Sequence, residues 1–271
     1  MRFRFITFLT DFGLQDDFVG TCHGVIKRIA PDVEVIDITH GIEPRRLLQG
    51  ALTLADTIPY MPVGVHLAVV DPGVGTDRRA VALEDESGRV YVGPDNGLLL
   101  PVAERMGGIA RVHQITNRKY SLEDVSPTFH GRDVFSPAAA HLALGVPLEE
   151  MGPKIEVSEL IRLDIPRPEA RRGRIKAAIV DTDRFGNMQL NLLHEHLEAM
   201  GLAVGTQIEL EHEGERYYAI TARTFSDARP GDIMLYEDSF QNIAVAISGG
   251  DAANMFGAKP GDKIIIRLRE S

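Results

Sequence analysis

Val69-Val-Asp-Pro-Gly-Val-Gly-Thr-Asp-Arg-Arg79 decides how the rest of the chain is read. It closes the apolar run Gly64-Val-His-Leu-Ala-Val-Val70, short and bounded by turn residues, the pattern of a buried strand. Asp71 is the first charge after that run and falls at the strand's carboxyl end, the edge where ligands collect in open α/β sheets. Pro72 stops the ladder, and Gly73 and Gly75 open backbone angles closed to other residues, so the chain can turn and return Arg78 or Arg79 towards Asp71. The same letters also fit an ordinary Asp-Pro-Gly turn and an ordinary ion pair.

Phe3–Thr10 repeats the pattern: an apolar strand closed by Asp11, followed by the acidic loop Asp11-Phe-Gly-Leu-Gln-Asp-Asp17. A helix over Phe18–Ala30 follows, with Val19, Cys22, Val25, Ile26 and Ile29 on one face; Asp16 or Asp17 is its expected N-cap or first-turn acid. Strands at Val33–Thr39 and Val65–Val70 and a helix over Arg45–Tyr60 continue an alternation that specifies an α/β layer with a mostly parallel sheet. Ala80–Leu83 and Val90–Gly93 read as a hairpin, Asp95-Asn-Gly97 as a turn capping a helix over Leu98–Met106, and Arg111–Ile115 as a strand. Ser126-Pro-Thr-Phe-His-Gly-Arg-Asp-Val-Phe135 leads into a helix over Phe135–Leu144; His130 and the Arg132–Asp133 pair there also fit plain capping and ion-pair roles.

Prolines and a basic run mark residues 153–173 as a linker between an α/β domain, 1–152, and a β domain, 174–271. Seven short strands with Glu213-Gly, Pro230-Gly and Pro260-Gly turns predict a small antiparallel sheet or barrel carrying one short helix at His194–Ala199. A net charge of −10 without a large basic face argues against nucleic acid as the main partner. Absence of an apolar stretch near the ~20 residues that span a bilayer argues against a membrane protein. Met1–Thr10 is basic and apolar but lacks a small-residue cleavage site and reads as a first strand, which makes cytoplasmic the expectation. The one cysteine, Cys22, reads as a buried helix residue. No His/Cys cluster has metal-ligand spacing, and no phosphate-cradling glycine loop occurs.

Six stretches in register resemble one family: T-D-F-G-x-x-D at Thr10–Asp16, D-I-T-H at Asp37–His40, V-D-P-G-V-G-x-x-R-R at Val70–Arg79, G-P-D-N-G at Gly93–Gly97, T-F-H-G-R-D at Thr128–Asp133 and D-R-F-G-N at Asp183–Asn187. They resemble the S-adenosyl-L-methionine (SAM) hydrolases, or SAM hydroxide adenosyltransferases, relatives of halogenating enzymes that attack the same substrate with halide. The resemblance implies hydrolysis of SAM to adenosine and L-methionine, without metal or other cofactor. It implies a catalytic trio of Asp71, Arg78 and His130. Asp11 would hold the ribose hydroxyls, Asp16 and Asp183 the methionine end, and Phe185 and Asn187 the adenine; Ser239, Ser248 and Gly249 would also line the pocket. It further implies a homotrimer, with sites shared between neighbouring subunits. A halide-dependent adenosyl transferase, a non-catalytic adenosine or SAM sensor, and a metal hydrolase built on Asp11, Asp16, Asp71 and His130 are the competing readings.

The chemistry suits these residue types. Attack on a sulfonium disperses charge, so a dry pocket helps, and a guanidinium beside water favours its hydroxide form. Arg78 stays protonated and cannot be the base. An Asp71 held by Arg78 is a weak base, so a proton relay through His130 is expected.

Overall fold

The computed structural model describes residues 3–171 and 173–269. Met1, Arg2, Arg172, Glu270 and Ser271, at the ends of the expected domains and in the expected linker, lie outside the described residues. The chain divides into two compact units, one running to Asp164 and the other starting at Ile165.

The first unit alternates strands and helices: β1 (Phe5–Thr10), α1 (Phe18–Ile29), β2 (Glu34–Thr39), α2 (Leu47–Thr57), β3 (Val65–Val69), β4 (Ala80–Asp85), β5 (Val90–Pro94), α3 (Leu100–Arg105), β6 (Ile109–Gln114) and α4 (Ser136–Leu144). The sheet order is β2-β1-β3-β5-β4-β6. β2, β1, β3 and β5 run parallel, while β4 is antiparallel to both β5 and β6. Successive side chains of a strand face opposite ways, and β3 is buried on both of its faces. Val65, Leu67 and Val69 join the core beneath α1 and α4, whereas Ala68 and Val70 join the one with residues of α2 and α3. Each fully buried Leu67- or Phe8-sized side chain contributes roughly 1.5–3 kcal/mol of transfer free energy.

Three local expectations are corrected. Arg45 has φ +68°, outside the helical region, so α2 starts only at Leu47 and gives way to a 3-10 turn at Ile58–Tyr60. Asp95 does not cap α3: its carboxylate accepts from Arg79 Nε at 2.8 Å and from the Ile161 backbone at 2.9 Å. Asp17 occupies the N-cap position of α1, but its side chain makes no capping hydrogen bond.

The second unit contains β7 (Glu169–Arg171), β8 (Arg174–Thr182), β9 (Met188–Leu193), α5 (His194–Ala199), β10 (Gln207–His212), β11 (Glu215–Thr221), β12 (Ile233–Glu237), β13 (Asn242–Ile247), α6 (Ala252–Phe256) and β14 (Lys263–Leu268). Its order is β14-β10-β11-β12-β13-β9-β8-β7, and β14 also pairs with β8, so every strand but β7 lies in a closed ring. Ile175, Leu190, Ile208, Leu235, Val245 and Ile264 fill the interior of that barrel. One pairing departs from the antiparallel expectation: β11 and β12 are parallel, because residues 222–232 cross over instead of forming a hairpin.

Candidate active site

Strand order places the site. From β1 the chain passes to β2 on one side, and β3 then takes the place on the other side of β1. The gap between the carboxyl ends of β1 and β3 is therefore a topological switch point, where open α/β sheets bind ligands. Thr10 pairs with Val69, which sets Asp11 and the Val70–Asp71 segment side by side at that edge. Asp11 Oδ2 accepts a 3.0 Å hydrogen bond from the backbone N–H of Arg45. Burial is the main cause raising the Asp11 carboxyl above the usual carboxylate range, the Arg45 contact opposes it, and the negative charge of Asp71 adds to it.

Asp71 and Arg78 form a nearly buried ion pair, with side chains 6% and 9% exposed. Arg78 Nε lies 3.0 Å from both carboxylate oxygens and Nη2 lies 2.6 Å from Oδ2. The same Nη2 lies 2.8 Å from His130 Nδ1. Burial first, and the Arg78 charge second, hold the His130 imidazole below its ordinary range. The three residues named from the sequence thus meet at one point of the first unit.

Glycines permit that meeting. Gly75 has φ +80°, and a Cβ there would lie 2.7 Å from the carbonyl oxygen of Pro127, so the turn after β3 rests directly on the His130 loop. A Cβ on Gly131 would lie 2.8 Å from the Phe12 ring, which brings the Asp11 loop against the same segment. Residues Gly131–Phe135 form a single π-turn before α4, with Ser136 Oγ donating to Gly131 O at 2.7 Å. Such turns are frequent at functional sites. Asp133, fully buried, accepts from Arg132 and from the Ser126 backbone at 2.8 Å, pinning both ends of the loop. Phe12, Phe18 and Phe129 pack edge-on or tilted against one another at 5.2–6.2 Å beside it. Asp16 lies exposed on the Asp11 loop.

The remaining sequence-predicted residues belong to the second unit. Asp183, Phe185 and Asn187 form the turn between β8 and β9. Asp183 Oδ1 accepts from the backbones of Phe185 at 2.8 Å and Asn187 at 2.9 Å, and Oδ2 from Asn187 Nδ2 at 2.7 Å. Asp183 therefore organises its own turn and leaves the Phe185 ring 65% exposed. Gly186, with φ +82°, fits where a Cβ would collide with Asp251. Ser239 precedes β13, with Ser248 and Gly249 following it, so these residues flank one strand. Burial, then the charges of Asp183 and Asp238, pushes the Tyr236 phenol up to about 12, which marks both carboxylates as its neighbours.

Two features escape a reading by spacing. Asn96 Nδ2 donates to the Val70 carbonyl at 2.8 Å and so holds the strand end that carries Asp71. His23, Asp37 and His40 converge from α1, β2 and the loop after it, with ligand-type atoms within 4.8 Å of one another.

Comparison with known proteins agrees with this architecture over both units. Residues 6–152 match the SAM hydroxide adenosyltransferase N-terminal domain, and residues 177–265 match the C-terminal domain of the same family. The chain is 47% identical over 261 residues to a (R)-S-adenosyl-L-methionine hydrolase of Salinispora tropica, covering 96% of each chain. It is 29% identical to a fluorinase of Actinoplanes sp., over 94% of this chain and 95% of that one. A crystal structure of a conserved protein from Thermotoga maritima superposes with a TM-score of 0.91 at 34% identity, over 97% of this chain and 99% of that one. With both family domains matched in order and 47% identity to a hydrolase over 96% of the chain, the protein belongs to the SAM hydroxide adenosyltransferase family.

Proposed function

We propose that the protein hydrolyses SAM to adenosine and L-methionine. The observation that carries this reading is the convergence of Asp71, Arg78 and His130 at the switch-point edge. A water oxygen attacks the ribose C5′, the C5′–S bond breaks with its electron pair passing to sulfur, and the sulfonium becomes the neutral thioether of methionine. Asp11, beside Asp71, holds the ribose hydroxyls, so attack proceeds in line from a fixed sugar. Arg78 stabilises the developing hydroxide.

The proton does not go to His130 in this arrangement. A guanidinium only donates, so Arg78 fills the Nδ1 lone pair, and the neutral ring keeps its proton on Nε2. His130 then serves as a second donor to the attacking oxygen. The spare lone pairs of the Asp71 carboxylate accept the proton and pass it to solvent.

Asp16 and Asp183 are proposed for the methionine end, and Phe185 and Asn187 for the adenine. Ser239, Ser248 and Gly249 complete the pocket. We propose a homotrimer in which the second-unit residues come from a neighbouring copy, acting without metal or cofactor in the reaction. No helix among the described residues is long and apolar enough to cross a membrane. With Cys22 as a lone buried thiol, that supports a cytoplasmic enzyme.

Incubating the purified chain with SAM and separating the products tests this. Equal amounts of adenosine and methionine, unchanged by added chloride, are expected. A 5′-chlorinated nucleoside would point to halide transfer, and retained SAM without products would point to a sensor.

A further inference from the structure

His23, Asp37 and His40 lie outside the trio, and nothing in the proposed reaction uses them. His23 Nε2, on α1, stands 2.9 Å from Asp37 Oδ1. His40 Nε2, from the loop after β2, stands 3.1 Å from the same oxygen. The His40 side chain is only 2% exposed. Among the described residues its Nε2 makes no well-directed hydrogen bond, which leaves a buried polar atom aimed at the cluster and unsatisfied there. Its other nitrogen, Nδ1, lies 2.8 Å from Thr10 Oγ1. The Phe8 ring packs edge-on against His40 at 4.9 Å and tilted against His23 at 5.9 Å.

We propose that His23, Asp37 and His40 form a binding site for one divalent transition metal ion of the zinc class. Two imidazoles and a carboxylate are the donor set such ions prefer, and three protein ligands leave a fourth position for water. Tetrahedral zinc with bonds of ~2.0–2.1 Å separates its donors by about 3.4 Å, near the 2.9 and 3.1 Å that separate the two imidazoles from Asp37 Oδ1, and all three donors lie within 4.8 Å of one another. The ion would bind His40 through the Nε2 that has no hydrogen-bond partner among the described residues. It would require the proton of His40 on Nδ1, and Thr10 Oγ1 is placed to accept it. That is the oxygen or carboxylate partner that metal-bound histidines usually have behind them. His23 and Asp37 are 32% and 40% exposed, which gives the ion a path from solvent.

The bound ion would tie α1 to the end of β2. Through Thr10 it would reach the Asp11 loop, because Thr10 Oγ1 also accepts from the Phe12 backbone, and Gly13 N donates to His40 O at 2.8 Å. It would act as a clamp on the substrate loop.

The test is titration of the untagged, chelator-treated full chain with zinc by calorimetry and with cobalt(II) by absorption. One ion per chain is expected, with intense tetrahedral cobalt bands and a raised melting temperature. His23→Ala and Asp37→Asn, both at partly exposed positions, should each weaken binding roughly tenfold or more and abolish the melting shift. His40→Ala removes a buried ring, so its outcome is read only if the variant melts cooperatively. No binding up to millimolar zinc, or binding unaltered in both exposed-site variants, would overturn the proposal and leave the cluster as a hydrogen-bond array around Asp37.

Discussion

Arg78 Nη2 stands 2.8 Å from His130 Nδ1 while the same guanidinium grips Asp71. Since arginine has no lone pair to offer, the facing ring nitrogen must be bare, which fixes the tautomer of His130. One guanidinium therefore positions an acid and an imidazole together.

Removing that link should cost rate more than affinity. Arg78→Ala and His130→Ala should each lower kcat by about 10²–10³-fold, the usual loss when one donor to a developing oxyanion is deleted, with KM for SAM little changed. Arg78→Lys should fare nearly as badly, because a point charge cannot span Asp71 and His130 at once. Steady-state kinetics reads the split; full rate in either alanine variant would refute the trio.

The pH dependence follows from the same contact. Burial and Arg78 hold His130 below its ordinary 6.5, and a proton on Nδ1 would set two donors face to face. The rate should be level at neutral pH and fall on the acid side with a midpoint below 6.5. Arg78→Ala should move the midpoint upward. A pH–rate profile of residual activity in that variant is the check.

His66 dictates a different acid response, in stability. It is fully buried on β3, with Nδ1 2.8 Å from Thr7 Oγ1 and Nε2 without a partner among the described residues. Burial drives its imidazole down to about 3 from 6.5. The unfolded chain therefore takes up a proton that the folded one refuses. The contribution to stability is intact above pH 6.5 and declines as pH falls towards 3, by up to about 1.4 kcal/mol per pH unit. Urea unfolding at pH 7, 6 and 5 should show that decline, and His66→Gln should flatten it.

Asp11→Ala should weaken adenosine as well as SAM. Charged hydrogen bonds are worth about 1.5–3 kcal/mol, so calorimetry should show adenosine binding reduced by ten- to a hundredfold. Equal affinity would place the ribose elsewhere.

Gly75→Ala tests the loop contact that carries Arg78 to His130. Its methyl would arrive 2.7 Å from a backbone oxygen at φ +80°, which should cost about 1–3 kcal/mol. The melting temperature and kcat should fall together, whereas Gly88→Ala, at φ +83° with open space around it, should affect stability alone.

The strand-end acids were legible because the period of the apolar runs and the first charge after each give their place directly: Asp11 after Thr10, Asp71 after Val70. The glycine turn made a returning Arg78 or Arg79 legible, and the family resemblance chose Arg78. That His130 joins them depends on a π-turn and a close approach of Gly131 to Phe12, neither of which has a periodic signature. Asp95 misled because Asx turns and helix caps share their letters, and a distant Arg79 decided between them. His23 and His40 are 17 residues apart with Asp37 between, and they meet only in the fold, His23 from α1, Asp37 from β2 and His40 from the loop after it. The family resemblance supplied the second-unit residues; spacing alone would have left Asp183–Asn187 as one more polar turn.

The ring of the second unit is closed by β14 against β8, with Lys263 opposite Ala178. The pairing joins segments more than eighty residues apart in sequence, so its loop-closure entropy is met late and in one step. During synthesis the earlier barrel strands must wait, with an open edge, until Lys263–Leu268 has left the ribosome. At roughly 5–20 residues per second the nascent sheet keeps an open edge for several seconds, and truncations that remove this strand should aggregate.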